Sequence, residues 1–188
     1  MKTIAIISSS VRRGRMSHRV AAFFKNFLEA NALAKVEMLD LKAYNFPIFE
    51  ERLANLKDGA PVGLVEFSKR FIAADGILMV APEYNGSYPP SLLNVVDVLV
   101  KEWYRKPVAI AAVSSGFGSG SRATVQLQSL LFKLQALCAP ATFNVGFVEQ
   151  SYDENGVPKD KEQAEKFAHA FIKELLFVVD AQELDATK

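Results

Sequence analysis

Residues 3–17 read TIAIISSSVRRGRMS, and this stretch decides the fold. Thr3–Ser8 is a short apolar run rich in isoleucine, which is typical of a strand buried on both faces of a parallel sheet. Ser9–Met16 is polar and basic, so it predicts a loop. Ser17 is a suitable N-cap for a helix that extends to about Ala34 with its apolar residues on one face. The stretch therefore predicts one strand, one loop and one helix in succession.

Strand and helix signals alternate along the rest of the chain. The sequence predicts further strands at Val36–Leu41, Gly76–Ala81, Pro107–Val113 and Ala141–Phe147. It predicts further helices from Pro61 to about Ala74, from Ser91 to about Trp103, after Ser121 to about Leu137, and over Lys161–Val179. Irregular segments are expected at Lys42–Gly59 and Gln150–Lys159, and a frayed tail at Gln182–Lys188.

Five strands that alternate with five helices predict one α/β domain over residues 1–188. The expected architecture is a three-layer α/β/α sandwich around a five-stranded parallel sheet of order 2-1-3-4-5. Half of the residues are hydrophobic, which is enough for a sizeable core without metals or disulfides.

Composition and charge exclude several classes of protein. The net charge is +1, from 22 basic and 21 acidic residues, which argues against nonspecific binding to nucleic acid. The single cysteine, Cys138, lies in the apolar stretch Leu134–Ala139 and is interpreted as a buried small hydrophobe. The N-terminal segment is too short and too soon polar for a signal peptide, and no apolar run approaches about 20 residues. We therefore expect a cytoplasmic soluble protein.

Three loops follow the strands that the predicted order makes neighbours. They are loop 1 (Ser8–Ser17), loop 2 (Pro82–Pro90) and loop 3 (Ser114–Ser121). Ligands of such sheets bind at the carboxyl ends of the strands, near the switch in strand order. The hydroxyls, arginines and helix N-terminus of loop 1 suit a monophosphate better than a pyrophosphate, because neither dinucleotide nor Walker glycine patterns occur there. The alternative is an ordinary polar loop.

Loops 2 and 3 suit a planar ligand. Tyr84 and Tyr88 could flank a ring, while Asn85 and the amides around Gly86 could contact its polar edge. The glycines of loop 3 allow close approach of the backbone to a ligand. A proline-rich turn and a flexible connector are the alternatives for these two loops.

Other chemistries are poorly supported by the sequence. His18 and His169 are the only histidines, and both fall on predicted helices, so neither a catalytic triad nor a metal site is expected. A phospho-aspartate receiver shares the topology, but it needs carboxylates where this chain has Ser8 and Pro82.

The residues of these loops resemble the NADPH-dependent FMN reductase family over roughly residues 1–173. The resemblance rests on Ser10-x-Arg12-x-Gly14-Arg15-x-Ser17, on Pro82-Glu83-Tyr84-Asn85-Gly86-Ser87 with Asn94-x-x-Asp97, and on the Ser/Gly loop before Arg122. It implies a flavodoxin-like fold and noncovalent FMN. It implies phosphate contacts from Ser10, Arg12, Arg15 and Ser17, and ring or ribityl contacts from Pro82, Glu83, Tyr84, Asn85, Gly86, Ser115, Gly116, Phe117 and Gly118. Two departures are Ser9, where many members have glycine, and the less glycine-rich opening Ser114-Ser115.

The resemblance also implies a function. Hydride would pass from NADPH or NADH to bound FMN and then to a small acceptor, which is a flavin, a quinone, an azo compound or chromate. The flavin would carry the chemistry, so no catalytic side chain is expected. A nonenzymatic flavin-binding electron carrier or redox sensor, and a flavin-free nucleotide-binding or scaffold protein, are the alternatives.

Assembly is a further implication of the resemblance, which suggests a homodimer or a dimer of dimers (homotetramer). Trp103 and Tyr104 could anchor an interface, or they could simply pack in the core.

Overall fold

The computed structural model describes residues 1–56 and 59–186, which include one parallel sheet of five strands. The strands are β1 (Thr3–Ser8), β2 (Lys35–Asp40), β3 (Gly76–Pro82), β4 (Pro107–Val113) and β5 (Leu137–Val145). Their order across the sheet is β2-β1-β3-β4-β5, which confirms the predicted topology. The switch in strand order therefore lies between β1 and β3.

The three central strands are continuous apolar runs. Every residue of β3 and β4 is buried, and β1 is buried from Ile4 to Ser8. Burial on both sides is required because helices cover both faces of a parallel sheet. The edge strands β2 and β5 are only partly buried.

Helices flank the sheet on both faces. They are α1 (Ser17–Ala30), α2 (Leu41–Tyr44), α3 (Leu53–Leu56), α4 (Val62–Ala73), α5 (Pro90–Val98), α6 (Ser121–Lys133), α7 (Val148–Ser151) and α8 (Lys161–Ala186). The long helices α1 and α8 share one core cluster, and α4, α5 and α6 share the other. This arrangement is the predicted three-layer α/β/α sandwich. None of these helices combines the length and apolar composition needed to cross a bilayer.

Aromatic side chains fill both cores. Beneath α1 and α8, the ring of Phe24 contacts those of Phe143 and Phe171, with centroids 4.9 and 5.4 Å away. On the opposite face Trp103 is fully buried, and its ring lies 4.6 Å from that of Phe71. Of the two interpretations left open for Trp103, core packing is therefore the one that the structure supports.

Helix ends differ from the sequence-based expectations. Ser17 is the first residue of α1 and not its N-cap, because Met16 occupies the cap position without a side-chain hydrogen bond. The helix ends at Ala30, because Ala32 has a φ of 50° and turns the chain toward β2. The helix predicted to reach Trp103 ends at Val98.

The bounds of the two edge strands, β5 and β2, also differ from the predicted ones. A φ of 58° at Gln135 follows the end of α6 at Lys133, so β5 begins at Leu137 rather than Ala141. Strand β2 ends one residue early because Asp40 accepts a hydrogen bond from the amide of Lys42 and caps α2.

The predicted irregular segments contain short helices. α3 lies within the expected connection 42–59, and α2 begins one residue before it, at Leu41; residues 57–58 of the connection are outside the described part of the chain. α8 continues to Ala186, so the fraying predicted from Gln182 onward is wrong up to that residue. Thr187 and Lys188 lie outside the described residues.

Candidate functional site

Loop 1 leads from the carboxyl end of β1 into the first turn of α1. Ser8, Ser9 and Ser10 are buried, whereas residues 11–14 are exposed. Ser9 donates through its hydroxyl to the carbonyl of Val80 on β3, at 2.9 Å. This bond explains how serine fits a position where glycine was expected.

Ser17 carries a polar group that the protein leaves unsatisfied. Its Oγ is buried and has no hydrogen-bond partner among the described residues. The amides at the start of a helix also lack intrahelical acceptors, and the helix dipole makes this end positive. A buried donor at a helix N-terminus suits an anion such as a phosphate.

Two arginines of loop 1 have different surroundings. The guanidinium carbon of Arg12 lies 5.6 Å from the ring centroid of Tyr84, so Arg12 leans toward loop 2. Arg15 forms a bidentate ion pair with Asp40, with the Nη2–Oδ2 distance at 2.6 Å, and donates to the carbonyl of Ser10 at 3.0 Å. Arg15 therefore fixes the backbone of loop 1 against the end of β2.

Asp40 was not singled out by the sequence, although it ends the strand next to β1. Burial alone would raise its pKa, but the hydrogen bonds and charge of Arg15 and the amide of Lys42 outweigh burial and hold the pKa below its usual value. The carboxylate thus stays ionised and keeps Arg15 in place.

His18 lies beside the same loop, on α1 as predicted. Its Nδ1 is 2.9 Å from the hydroxyl of Ser8. Burial, followed by the charge of Arg15, lowers the pKa of His18. The imidazole is therefore neutral near pH 7 and available for hydrogen bonding.

Loop 2 folds as a tight turn that is tied to loop 1. Tyr84 and Ser87 exchange two backbone hydrogen bonds around Asn85 and Gly86, which have φ values of 53° and 80°. The hydroxyl of Tyr84 lies 2.7 Å from that of Ser10. Tyr84 thus links loops 1 and 2.

Glu83 connects loop 2 to α6. Its Oε2 accepts hydrogen bonds from the amides of Arg122 and Ala123 at 3.2 and 3.4 Å. The cap residue of α6, Gly120, supplies no side-chain bond of its own. Glu83 therefore caps α6 from a neighbouring loop and orders the end of loop 3.

Loop 3 presents its backbone to open space. A Cβ built on Gly116 or Gly118 would meet no heavy atom within 4 Å, and the Phe117 side chain is 90% exposed. Ser115 is exposed beside them. The hydroxyl of Ser114 donates to the carbonyl of Gly116 at 2.9 Å and shapes the turn. A planar ligand can therefore approach these amides closely.

The second part of the loop 2 motif has a supporting role. Asn94 donates to the carbonyl of Pro47 at 2.7 Å and accepts from the amide of Phe49 at 2.5 Å, which holds the segment after α2 against α5. Burial, followed by the charge of Asp97, raises the pKa of half-buried Tyr88. The sequence singled out Asn94 and Asp97 only through the family resemblance.

The structure brings the three loops together at one rim of the sheet. β1, β3 and β4 are consecutive in the sheet, and the hydrogen bonds of Tyr84 and Glu83 join loop 2 to loop 1 and to the start of α6. In the described part of the chain, no three His, Cys, Asp or Glu side chains cluster closely enough to hold a metal ion. The rim therefore offers an anion site, backbone amides and aromatic surface.

Comparisons with known proteins show the family to which the chain belongs. The family described as NADPH-dependent FMN reductase matches residues 1–150. An NAD(P)H-dependent FMN reductase of Saccharomyces cerevisiae is 31% identical over 144 residues, which cover 70% of this chain and 74% of the yeast protein. A quinone reductase of Pseudomonas putida is 27% identical over 178 residues, 90% of each chain.

Solved structures share the fold. A flavoenzyme NAD(P)H:(acceptor) oxidoreductase of Paracoccus denitrificans superposes with a TM-score of 0.75 at 21% sequence identity. The superposition covers 95% of this chain and 97% of the Paracoccus chain.

Proposed function

The chain belongs to the NADPH-dependent FMN reductase family, and on this premise we propose that loops 1, 2 and 3 together hold one FMN molecule. The protein is an NAD(P)H-dependent flavin oxidoreductase. Bound FMN would supply the hydride-transfer chemistry that connects a nicotinamide with a small acceptor. The protein itself binds, orients and electrostatically tunes the ring.

The buried hydroxyl of Ser17 is the observation that carries the proposal. It fits a phosphate oxygen at the start of α1, because it is a polar group without a partner. Ser10 and Arg12 lie on the same loop and would bind further oxygens, while Arg15, which is paired with Asp40, holds loop 1 in shape.

The isoalloxazine and ribityl groups would lie between loops 2 and 3. The contact residues that we propose are Pro82, Glu83, Tyr84, Asn85, Gly86, Ser115, Gly116, Phe117 and Gly118. The backbone amides of loop 3 would stabilise negative charge on the reduced ring. Because Glu83 caps α6 directly after this loop, it would keep those amides in position.

Anaerobic addition of NADPH to the FMN-loaded protein tests this function. A reductase loses the visible flavin absorbance promptly, and the absorbance returns when a quinone is added. A protein that takes up FMN but is not reduced by NADPH or NADH is the electron carrier or sensor. A protein that fails to bind FMN at all contradicts the proposal.

The acceptor and the assembly complete the proposal. The relatives are named for flavin, quinone and azo reduction, so an acceptor panel would begin with those three classes and chromate. We place the protein in the cytoplasm as a homodimer or dimer of dimers. Gel filtration with a monomer mass would remove the assembly part of the proposal.

A further inference from the structure

A groove runs along the outer edge of the sheet, between β5 and α8. Its volume is about 1480 Å³, more than the roughly 300–1,000 Å³ that is typical of a small-molecule site. No residue of loops 1, 2 or 3 lines it, so the proposed FMN site does not account for it. One wall is built by residues after 150, where the match to the family ends.

The upper end of the groove contacts loop 3. Gly146 lines the groove, and a Cβ built on it would lie 2.6 Å from the hydroxyl of Ser119 and 2.9 Å from the carbonyl oxygen of Gly116. The next turn is tied to the same loop, because the amide of Val148 donates to the carbonyl of Ser114 at 3.2 Å. A ligand that extends from the proposed ring site past loop 3 therefore enters the groove directly.

Phe147 has an unusual conformation at this end of the groove. Its φ is 47°, in the left-handed region that bulky residues seldom adopt, and it is 44% exposed. Its carbonyl accepts hydrogen bonds from the amides of Gln150 and Ser151, at 2.8 and 3.1 Å, which hold that conformation. Backbone strain of this kind is concentrated at ligand-binding sites. The strain therefore supports a binding role for the groove.

Lys159 places a positive charge at the same end. Its amide donates to the carbonyl of Ser151 at 2.9 Å, and the hydroxyl of Ser151 donates to the carbonyl of Gly146 at 3.1 Å. The Lys159 ammonium forms no ion pair with any residue in 1–56 or 59–186, and it lines the groove. It is therefore available to a phosphate group of a ligand.

The other charged residues that line the groove do not neutralise Lys159. Lys161 pairs with a carboxylate one turn later on α8, at 3.8 Å, and Asp160 accepts a hydrogen bond from an amide of the first turn at 3.0 Å. Glu162 is exposed in that first turn. Glu174 lies about 20 Å from the start of the helix.

Farther from loop 3 the groove becomes aromatic. α8 runs back toward the amino ends of the strands, because its Val179 contacts Gly76 at the start of β3. Phe167, about 9 Å along the helix, is 55% exposed and forms part of one wall. Phe143 and Phe171, with ring centroids 5.7 Å apart, also line the groove. A planar base would stack well against such rings.

The groove thus presents, in order from loop 3, an opening beside the proposed ring site, a cation and an aromatic wall. A reduced nicotinamide dinucleotide carries a nicotinamide, a pyrophosphate and an adenine in the same order. We propose that the groove binds the adenosine diphosphate half of NADPH or NADH while the nicotinamide lies on the flavin, an inference that rests on the proposed FMN site. An acceptor with a long apolar tail would suit the aromatic part but would leave Lys159 without a role.

Stopped-flow reduction of the FMN-loaded protein tests this assignment. It compares NADPH with reduced nicotinamide mononucleotide, which delivers the same hydride but lacks the adenosine part. We expect the half-saturating concentration to be about tenfold lower for NADPH, because only the full donor gains the stacking contact in the groove.

Variants of the groove separate its two parts. Phe167→Ala should raise the half-saturating concentration of NADPH about tenfold, through loss of stacking. Lys159→Gln should raise it about threefold, as expected for an exposed charge. Neither value should change for the mononucleotide. Phe177→Ala and Lys166→Gln are the matched controls, because both residues are exposed on α8 and neither lines the groove.

ADP gives a readout without turnover, because it has the adenosine and the pyrophosphate but no nicotinamide. Titration calorimetry of the FMN-loaded protein should show ADP binding that Phe167→Ala weakens, with the flavin still bound. ADP should also compete with NADPH. Absence of ADP binding up to about 10 mM, tenfold above a millimolar Kd, would overturn the proposal.

Other results would overturn it as well. They are equal half-saturating concentrations for the two donors, an equal effect of Phe167→Ala on both donors, and an effect of Phe167→Ala that appears only with a long-chain quinone as acceptor. Each is observed in a protein that binds FMN and is reduced by a nicotinamide, so the proposed function would stand. A protein that NADPH and NADH fail to reduce would contradict the proposed function and this inference with it.

Discussion

At the scale of single residues, Ser17 distinguishes this site from an ordinary loop. Burying a hydroxyl without a partner costs about 1–3 kcal/mol, so a folded protein rarely leaves one. Here the unsatisfied hydroxyl lies at the positive end of α1 and next to a basic loop. Binding of a phosphate would recover that cost, which makes Ser17 a direct probe of the site.

We predict that Ser17→Ala raises the dissociation constant for FMN about tenfold, because one hydrogen bond to a charged oxygen is lost. The same change should leave the FMN-free protein as stable as before or slightly more stable, since an unsatisfied group disappears. Titration calorimetry and thermal unfolding without FMN measure the two effects.

Arg12→Ala should weaken FMN binding by a factor of about 10 to 100, through loss of a charge-assisted bond. Arg13→Ala is the matched control, because Arg13 is the next exposed arginine of the same loop and is not assigned to the phosphate. Equal effects of the two substitutions would mean that loop 1 attracts the phosphate only through its general charge.

The ion pair of Asp40 with Arg15 should make the stability of the protein depend on pH. The pKa of Asp40 is lower in the folded protein than in the unfolded chain, where it is about 3.9. The ion pair with Arg15 therefore contributes its full stabilisation above the unfolded pKa. That stabilisation is lost as the pH falls through the lower pKa of the folded state. Asp40→Asn should therefore cost most free energy of unfolding near neutral pH and progressively less below pH 4. Urea unfolding near neutral pH and below pH 4 measures this free energy, with Glu162→Gln as an exposed control. A loss of stability that does not depend on pH would contradict the prediction.

At the scale of elements, the loops are shaped by the ends of the strands and helices that they join. Gly120 has a φ of 78°, and a Cβ there would lie 2.9 Å from main-chain atoms of Ala112 and Val113 on β4. Only glycine brings the start of α6 this close to the sheet. The position of α6 sets where loop 3 ends. The close packing of Gly120 against β4 therefore affects the geometry of the proposed flavin site.

Gly120→Ala should therefore destabilise the protein by about 2 kcal/mol or more, from the left-handed conformation and the backbone contact together. Gly118→Ala is the matched control, because its Cβ would enter open space. Differential scanning calorimetry should show a clear loss of Tm for the first variant and little change for the second. Equal losses would show that loop 3 itself limits stability.

Central elements were predictable from sequence, and peripheral ones were less so. β1 and β4 were predicted to the residue, because a strand buried on both faces is an uninterrupted apolar run. β5 was placed too late, because an edge strand with Pro140 lacks that signal. Helix ends were overestimated where Ala32 and Gln135 adopt positive φ, a conformation that their residue types do not announce.

At the scale of the whole molecule, the strand order explains why three distant loops form one site. Loops 1, 2 and 3 could be assigned to one rim from the sequence, because the order of the strands makes β1, β3 and β4 neighbours. The bond between Arg15 and Asp40, and the cap that Glu83 gives α6, could not be predicted. Both join residues that are far apart in sequence, so no local pattern encodes them.

The sheet also separates two surfaces. Loops 1–3 follow the carboxyl ends of β1, β3 and β4, whereas Phe167 and Phe177 lie exposed on α8. An apolar stripe on a helix reads from sequence as a core-facing stripe, so only the structure shows that Phe167 and Phe177 are exposed.

A crystal structure of the protein grown with excess FMN tests the central claim most directly. The account predicts a phosphate within hydrogen-bond distance of the Ser17 hydroxyl, with Arg12 turned toward it and the ring between loops 2 and 3. An FMN molecule bound away from loops 1–3, or a phosphate away from the start of α1, would contradict it.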